Sequence, residues 1–269
     1  MIHERIYLRE NDEKIFLDTY VPDKTLNFTR RAILVIPGGG YHNVCSSREG
    51  EPIAQAFIAQ GFAAFVLHYS VARVRPFPAQ LIEASLAMAH IRENAEAYGI
   101  DPDEVYVTGF SAGGHLACSL GLLWHLDAIY SETGIPFGIN KPNGMILGYP
   151  VTTYEGGHKG SHHNLWCTDT PSEEQLAISC LENHVDDRSA PLFLMHTSDD
   201  AVVPIKSALV LGEAYAQKGL PFEMHIYPHG PHGIALATPT TSNGSPDLVD
   251  EAIAKWIDHA VYWVKNLKK

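Results

Sequence analysis

The sequence has no long apolar run and no clustered cysteines, and each absence excludes a class of protein. No apolar stretch approaches the roughly 20 residues that a membrane-spanning helix needs. The first residues lack the basic and then apolar order of a signal peptide. Cys45, Cys118, Cys167 and Cys180 lie far apart, with no zinc or redox spacing between them. We therefore expect a cytoplasmic protein with free thiols and no membrane partner.

Basic residues are also scarce. The chain has 19 Lys and Arg against 31 Asp and Glu, a formal net charge of −12. Nucleic acids and anionic membranes attract basic surfaces, so neither is expected as a partner. Two N-glycosylation patterns, at Asn27 and Asn243, are expected to be chance matches because no secretory signal precedes them.

The order of apolar runs predicts one α/β domain over residues 1–269, without repeats or a linker. An N-terminal hairpin leads into alternating strands and helices, which gives a mostly parallel sheet of eight strands covered on both faces. Strands are predicted at 6–9, 14–21, 31–36, 62–68, 105–108, 145–148, 191–197 and 222–227. Helices are predicted at 50–60 (with a capping box from Ser46 to Glu49), 78–98 and 112–125, from about Pro204, and from Ser245 and Pro246 to the lysines Lys265, Lys268 and Lys269.

A candidate nucleophile follows the fifth predicted strand. Residues 109–113 read Gly-Phe-Ser-Ala-Gly, the pattern that turns a chain sharply from strand to helix and exposes the central serine. Ser111 is therefore the predicted nucleophile. The alternative, a glycine-rich helix start capped by a serine, explains less because a strand precedes the motif and a helix follows it.

A glycine-rich loop, Pro-Gly-Gly-Gly-Tyr at 37–41, follows the third predicted strand. Acyl transfer passes through an intermediate with a negatively charged oxygen, which backbone N–H groups can stabilise. We predict that Gly39, Gly40 and Ala112 donate the N–H groups of this oxyanion hole. A phosphate-binding loop is the alternative, but no Gly-Lys-Ser/Thr follows.

An acid and a base are expected on the next two strand-end loops, because ligands bind at the carboxyl ends of parallel strands. Asp199 and Asp200 follow the seventh predicted strand, and Asp200 is preferred because it lies at the tip of the turn. His229 and His232 follow the last strand, and His232 is preferred as the base. The resulting chain order, Ser, Asp, His, is that of the α/β-hydrolases.

With residues 36–41, 47–52 and 109–115, the chain resembles the acetylxylan-esterase-like branch of the α/β-hydrolases, which is similar to hormone-sensitive-lipase-type esterases. The resemblance continues over 191–204 and 225–236. It implies hydrolysis of short acyl esters, with acetyl groups on sugars such as xylo-oligosaccharides as the expected substrates, and no cofactor. Pro37 stands where lipase-type loops carry histidine, which favours the esterase branch.

Residues 151–190 are expected to form a small lid over the carboxyl edge of the sheet. Its aromatic and polar residues suit a sugar, and substrate contacts are predicted for Tyr41, His42, Tyr69 and Trp166. No metal is expected: His158, His162, His163 and Cys167 would suit zinc on a helix, but Gly156, Gly157 and Gly160 argue against a helix there.

Two other functions remain open at this point. One is a prolyl-oligopeptidase-like peptidase, which uses the same three residue types in the same order but usually has a large additional domain. The other is a catalytically silent binding protein built on a hydrolase scaffold. The sequence also leaves open whether the chain forms a homo-oligomer.

Overall fold

The architecture follows from apolar strands that run through the middle of the chain. A computed structural model describes residues 1–24 and 28–267; Asn27 of the glycosylation pattern, Lys268 and Lys269 lie outside these. The strands are β1 Arg5–Tyr7, β2 Phe16–Tyr20, β3 Arg30–Ile36, β4 Ala63–His68, β5 Ile100–Phe110, β6 Met145–Gly148, β7 Leu192–Thr197 and β8 Phe222–Tyr227. The α-helices are α1 Ser46–Glu49, α2 Glu51–Ala59, α3 Ala79–Glu93, α4 Ala95–Tyr98, α5 Ala112–Leu123, α6 Asp127–Thr133, α7 Lys159–Leu165, α8 Glu173–Ser179, α9 Lys206–Lys218 and α10 Trp256–Asn266.

The eight strands form one sheet in the order β1-β2-β4-β3-β5-β6-β7-β8. β1 and β2 are antiparallel to their neighbours, while β4, β3, β5, β6, β7 and β8 run parallel. The prediction of a mostly parallel eight-stranded sheet with an N-terminal hairpin is confirmed. All the strand-end loops that carry the predicted site therefore meet at one edge of the sheet.

Alternate residues of the central strands enter two separate apolar cores, one on each face of the sheet. In β3, Leu34 packs with the core that includes residues of α3, α5 and α9, whereas Val35 packs with residues of α2 and α10. Both side chains are fully buried, which explains why this strand reads as a continuous apolar run. No helix in the described part of the chain is long and apolar enough to cross a bilayer.

Three helix predictions differ from the structure. The long helix predicted over 78–98 is interrupted at Asn94, between α3 and α4. Ser46 lies inside the short helix α1, whose N-cap is Cys45, so the predicted capping box does not form. The last helix begins at Trp256, because Ser245 and Pro246 start only a 3₁₀ turn, Pro246–Leu248, and a second 3₁₀ turn, Ile253–Lys255, precedes α10.

Candidate active site

The turn from β5 to α5 holds Ser111 in a strained backbone conformation, with φ 53° and ψ −122°. A left-handed φ is costly for a residue with a side chain, and such strain concentrates at functional sites. The turn is tight because a Cβ on Gly113 would lie 2.2 Å from the carbonyl oxygen of Ile36. Only glycine permits this approach, so α5 starts directly against the end of β3.

The structure brings Ser111, His232 and Asp200 into one hydrogen-bonded chain, although they are far apart in sequence. The Ser111 hydroxyl lies 2.9 Å from His232 Nε2, and His232 Nδ1 lies 2.7 Å from Asp200 Oδ2. With Nδ1–H donating to the carboxylate, Nε2 is free to accept the serine proton. This is the geometry that a serine nucleophile with a general base requires.

The Asp200 carboxylate is held in its ionised form. Burial opposes ionisation, but hydrogen bonds from His196 and His232 outweigh it and lower the pKa of Asp200. Its other oxygen accepts N–H bonds from Val202 and Val203, at 2.8 and 2.9 Å. These bonds fix the carboxylate opposite His232. The alternatives, Asp199 and His229, pair with each other at 3.0 Å on the exposed surface.

The glycine-rich loop at 37–41 lies beside the hydrogen-bonded residues Ser111, His232 and Asp200, and its carbonyl groups are fixed by hydrogen bonds. The Tyr69 hydroxyl donates to Pro37 O at 2.7 Å, and Asn164 Nδ2 of α7 donates to Gly40 O at 2.8 Å. Gly39 and Gly40 adopt φ values of +126° and +63°, which favour glycine. Within the described hydrogen bonds, neither glycine N–H donates to another group. Ala112 opens α5, so its N–H has no partner in its own helix.

A cavity of about 200 Å³ opens at Ser111. It is small, and polar side chains line it although most of its exposed wall is apolar. The lining residues are Gly39, Gly40, Cys45, Arg48, Glu49, Ser111, His158, Ser161, Val202 and His232. The candidate nucleophile, the candidate base and the glycine-rich loop at 37–41 (the candidate oxyanion loop) thus share one cavity. Its remaining wall comes from α1, from the N-terminal end of α7 and from the loop after β7.

The four predicted substrate residues do not line this cavity. Tyr41 and Tyr69 are buried at 2% and 1% exposure. Their hydroxyls are already used, since Tyr41 donates to His115 Nδ1 at 2.8 Å while Tyr69 anchors Pro37. His42 borders a neighbouring surface groove. Trp166 packs on Phe77 in a separate apolar groove of about 670 Å³.

The prediction of no helix near His158 is wrong, because Gly160 is accommodated inside α7 and His158 caps its N-terminus. The ring nitrogens of His162 bond to Ser179 and Thr153, and His163 bonds to Tyr154. Among the residues that the structure describes, no group of three or more His, Cys, Asp or Glu side chains could hold a metal ion.

Five cavity residues were not predicted from the sequence: Cys45, Arg48, Glu49, Ser161 and Val202. Arg48 and Glu49 form an ion pair in the wall, with Arg48 Nη2 3.6 Å from Glu49 Oε1. The sequence feature that could have identified some of these residues is their position, because α1 directly follows the glycine-rich loop and Val202 closely follows Asp200. His158 was visible as part of the polar lid.

Comparisons with known proteins identify the family and the fold. A profile of the BD-FAE family matches residues 17–215. Endo-1,4-beta-xylanase B of Butyrivibrio fibrisolvens is 37% identical over 213 residues, which is 77% of this chain and 33% of that protein. An acetylxylan esterase of Xylanibacter ruminicola is 27% identical, covering 85% of this chain and 45% of that protein. The chain thus spans between a third and a half of the length of these curated relatives.

Among solved structures, the acetyl ester-xyloside bifunctional hydrolase of Caldicellulosiruptor lactoaceticus superposes with a TM-score of 0.84 at 32% identity. The match covers 98% of this chain and 96% of that one. A carboxylesterase from Lactobacillus plantarum, Cest-2923, matches with a TM-score of 0.85 at 23% identity, which supports the fold alone. The predicted α/β-hydrolase fold is confirmed.

Proposed function

Since the chain belongs to the BD-FAE family and has the α/β-hydrolase fold, we propose that it is a serine esterase that hydrolyses short acyl esters, with acetyl groups on carbohydrate as the preferred class. The observation that carries this proposal is the hydrogen-bonded chain from Ser111 through His232 to Asp200. The names of the relatives, an acetylxylan esterase and an acetyl ester-xyloside hydrolase, support the choice of acyl group and alcohol.

In the proposed mechanism, Ser111 Oγ attacks the ester carbonyl carbon while its proton passes to His232 Nε2. The N–H groups of Gly39, Gly40 and Ala112 stabilise the oxyanion. The carbon–oxygen bond to the alcohol then breaks, and the alcohol leaves with the proton from His232. Water, deprotonated by His232, then attacks the acyl carbon; the bond to Ser111 Oγ breaks, Ser111 takes the proton back from His232, and the acid is released. Asp200 stabilises the histidine whenever it is protonated.

The size of the cavity at Ser111 favours a short acyl chain. A volume of about 200 Å³ is below the roughly 300–1,000 Å³ of sites that enclose drug-sized ligands. A long acyl chain would have to leave this cavity for a surface groove. Arg48, His158 and Ser161 line the cavity and offer hydrogen-bonding groups that the hydroxyl groups of a sugar can use.

The test of the nucleophile is Ser111→Ala. We expect the variant to keep its fold by circular dichroism, to lose nearly all esterase activity and to lose labelling by a fluorophosphonate. Retention of more than a few per cent of wild-type activity would contradict the assignment of Ser111. In the wild type, efficient hydrolysis of a peptide amide together with poor hydrolysis of esters would favour the peptidase alternative.

The test of substrate class is an ester series from acetyl to octanoyl, together with acetylated xylo-oligosaccharides. We expect kcat/KM to fall as the acyl chain lengthens, because each added carbon has less room at Ser111. A preference for octanoyl would overturn the short-acyl proposal while leaving the nucleophile assignment intact. Acetate release from the oligosaccharides, measured directly, tests the carbohydrate part.

A further inference from the structure

Glu49 is a buried carboxylate beside the candidate active site that the proposed mechanism does not use. It ends α1, the short helix that follows the oxyanion loop, and its exposure is only 1%. It also lines the cavity that contains Ser111 and His232. Burying a carboxylate is costly unless it is paired and hydrogen-bonded, so its partners indicate what it does.

One carboxylate oxygen holds the oxyanion loop. Glu49 Oε2 accepts the N–H of Gly38 at 2.8 Å, one residue before the proposed donors Gly39 and Gly40. The approach is close: a Cβ on Gly38 would lie 2.7 Å from this oxygen and 2.9 Å from Ser111 Cβ. The bond therefore fixes the backbone of the loop at the point where it passes the nucleophile.

The other carboxylate oxygen reaches the loop that carries the base. Glu49 Oε1 accepts the hydroxyl of Tyr149 at 2.9 Å, and that hydroxyl accepts the N–H of Ala235 at 3.0 Å. The Tyr149 ring meets the His232 ring edge to face, with centroids 5.1 Å apart. Burial, followed by the Glu49 charge, raises the pKa of Tyr149, so its hydroxyl stays protonated and keeps donating.

A carboxylate suits this position better than an amide. Its two oxygens both accept, which Gly38 N–H and Tyr149 O–H require, whereas a glutamine offers one accepting oxygen and an NH₂ group that can only donate. The negative charge is balanced by Arg48, whose guanidinium lies 3.6 Å away. The same guanidinium is packed against Gly233, next to His232.

We infer that Glu49 is a positioning residue. It holds the oxyanion loop and the loop that carries His232 in fixed positions on either side of the reacting ester. This inference rests on the proposed esterase function and adds a residue to it. Glu49 accepts no proton from the substrate. It acts through Gly38 on one side and through Tyr149 on the other, and therefore affects the transition state more than substrate binding.

The first experiment compares Glu49→Gln with Glu51→Gln. Glu51 is an exposed acid two residues further on whose carboxylate bonds to Gln55, so it controls for the loss of one charge near α1. We expect Glu49→Gln to lower kcat for an acetyl ester about 10- to 100-fold while KM changes less than about 3-fold, because misplaced oxyanion donors cost rate. Glu51→Gln should match the wild type.

A second experiment covers the case in which Glu49→Gln does not fold. Tyr149→Phe keeps the ring against His232 but removes the hydroxyl between Glu49 and Ala235. We expect it to lower kcat by a smaller factor. A trifluoromethyl ketone, whose adduct with serine places an oxyanion in the hole, should inhibit each variant more weakly in proportion to its loss of kcat/KM. A merely structural role would lower the melting temperature without this proportionality.

The outcomes separate the inference from the proposed function. If the wild type hydrolyses acetyl esters and Ser111→Ala does not, but Glu49→Gln and Tyr149→Phe both turn over at wild-type rates, Glu49 does not position the site. Unchanged affinity for the trifluoromethyl ketone in both variants would also overturn the inference. If the wild type itself shows no esterase activity, the proposed function fails first.

Discussion

At the scale of single residues, the site contains two neighbouring acid–histidine pairs that differ in environment. Asp199 and His229 pair on the surface, where solvent weakens the interaction. Asp200 and His232 pair where Asp200 is 6% exposed and accepts further bonds from two backbone N–H groups. A histidine can be held in one tautomer only by a partner that is itself fixed, so the buried pair is the one suited to catalysis.

This difference yields a prediction with a built-in control. We expect Asp200→Asn to lower kcat by about 10⁴-fold, because an amide can stabilise the wrong tautomer of His232 and cannot balance the imidazolium. Asp199→Asn removes the same charge one residue earlier and should leave kcat within about 2-fold, since a surface ion pair contributes little. The measurement is steady-state hydrolysis of an acetyl ester. Comparable losses in both variants would contradict the assignment of Asp200.

The sequence supports the choice of Ser111, Asp200 and His232 because each occupies a fixed place at the end of a recognisable strand. The sequence could not show on which side of the loop the side chains of Tyr41 and Tyr69 lie. A tyrosine beside an active-site motif can face the cavity or the core, and here each hydroxyl finds a partner, His115 or Pro37, that only the folded chain brings near. The hydrogen-bond partners of Glu49, Gly38 and Tyr149, lie 11 and 100 residues away, and no local pattern encodes such contacts.

At the scale of elements, parallel strands were more predictable than helix ends. A strand covered on both faces must be apolar throughout, so the fully buried β6 has the predicted bounds. β8 also has the predicted bounds, although it is a partly exposed edge strand that contains Glu223 and His225. Helix starts depend on weak local signals that tertiary packing overrides. Ser245 and Pro246 resemble a helix start, yet the following Val249 is 39% exposed and α10 begins only where Trp256 enters the core.

Helix α7 gives a prediction at this scale. His158 caps it by accepting the N–H of Ser161, and the same ring borders the cavity at Ser111. Burial and the neighbouring His232 lower the pKa of His158, so the ring is neutral and, with Nδ1 accepting, carries its proton on Nε2. That N–H can donate to a hydroxyl or ring oxygen of a sugar ester.

We expect His158→Asn to keep the helix, since asparagine is a good N-cap, and to lower kcat/KM for an acetylated sugar about 5-fold through the loss of one hydrogen bond. An acetyl ester of a simple alcohol should be affected less. His158→Ala should show the same kinetic loss and also a lower melting temperature. Equal kcat/KM for the sugar ester in wild type and His158→Asn would remove His158 from the substrate site.

At the scale of the whole molecule, the segment predicted as a lid is docked on the sheet domain through two buried histidines. His162 of α7 and His115 of α5 meet edge to face, with ring centroids 5.5 Å apart, and both are 1% exposed. Burial lowers the pKa of His115 to about 4 and that of His162 to about 3. Both rings are therefore neutral in the folded protein at pH 7, because burial disfavours the charged form of each.

This docking predicts an acid-sensitive fold. An unfolded histidine binds a proton below about pH 6.5, whereas these two stay neutral down to their lowered pKa values, so the unfolded state binds more protons between those limits. Their contribution to the free energy of unfolding is fully present above pH 6.5 and declines by about 1.4 kcal/mol per pH unit for each ring as the pH falls below that value.

Urea unfolding at pH 8, 6 and 5 measures this slope. His162→Asn lacks one of the two rings and should lose less stability between pH 6 and 5 than the wild type, even if it is less stable at pH 8. His42→Asn, which removes an exposed histidine, should keep the wild-type slope. Equal slopes in wild type and His162→Asn would mean that protonation of His162 does not limit the stability of the folded protein in acid.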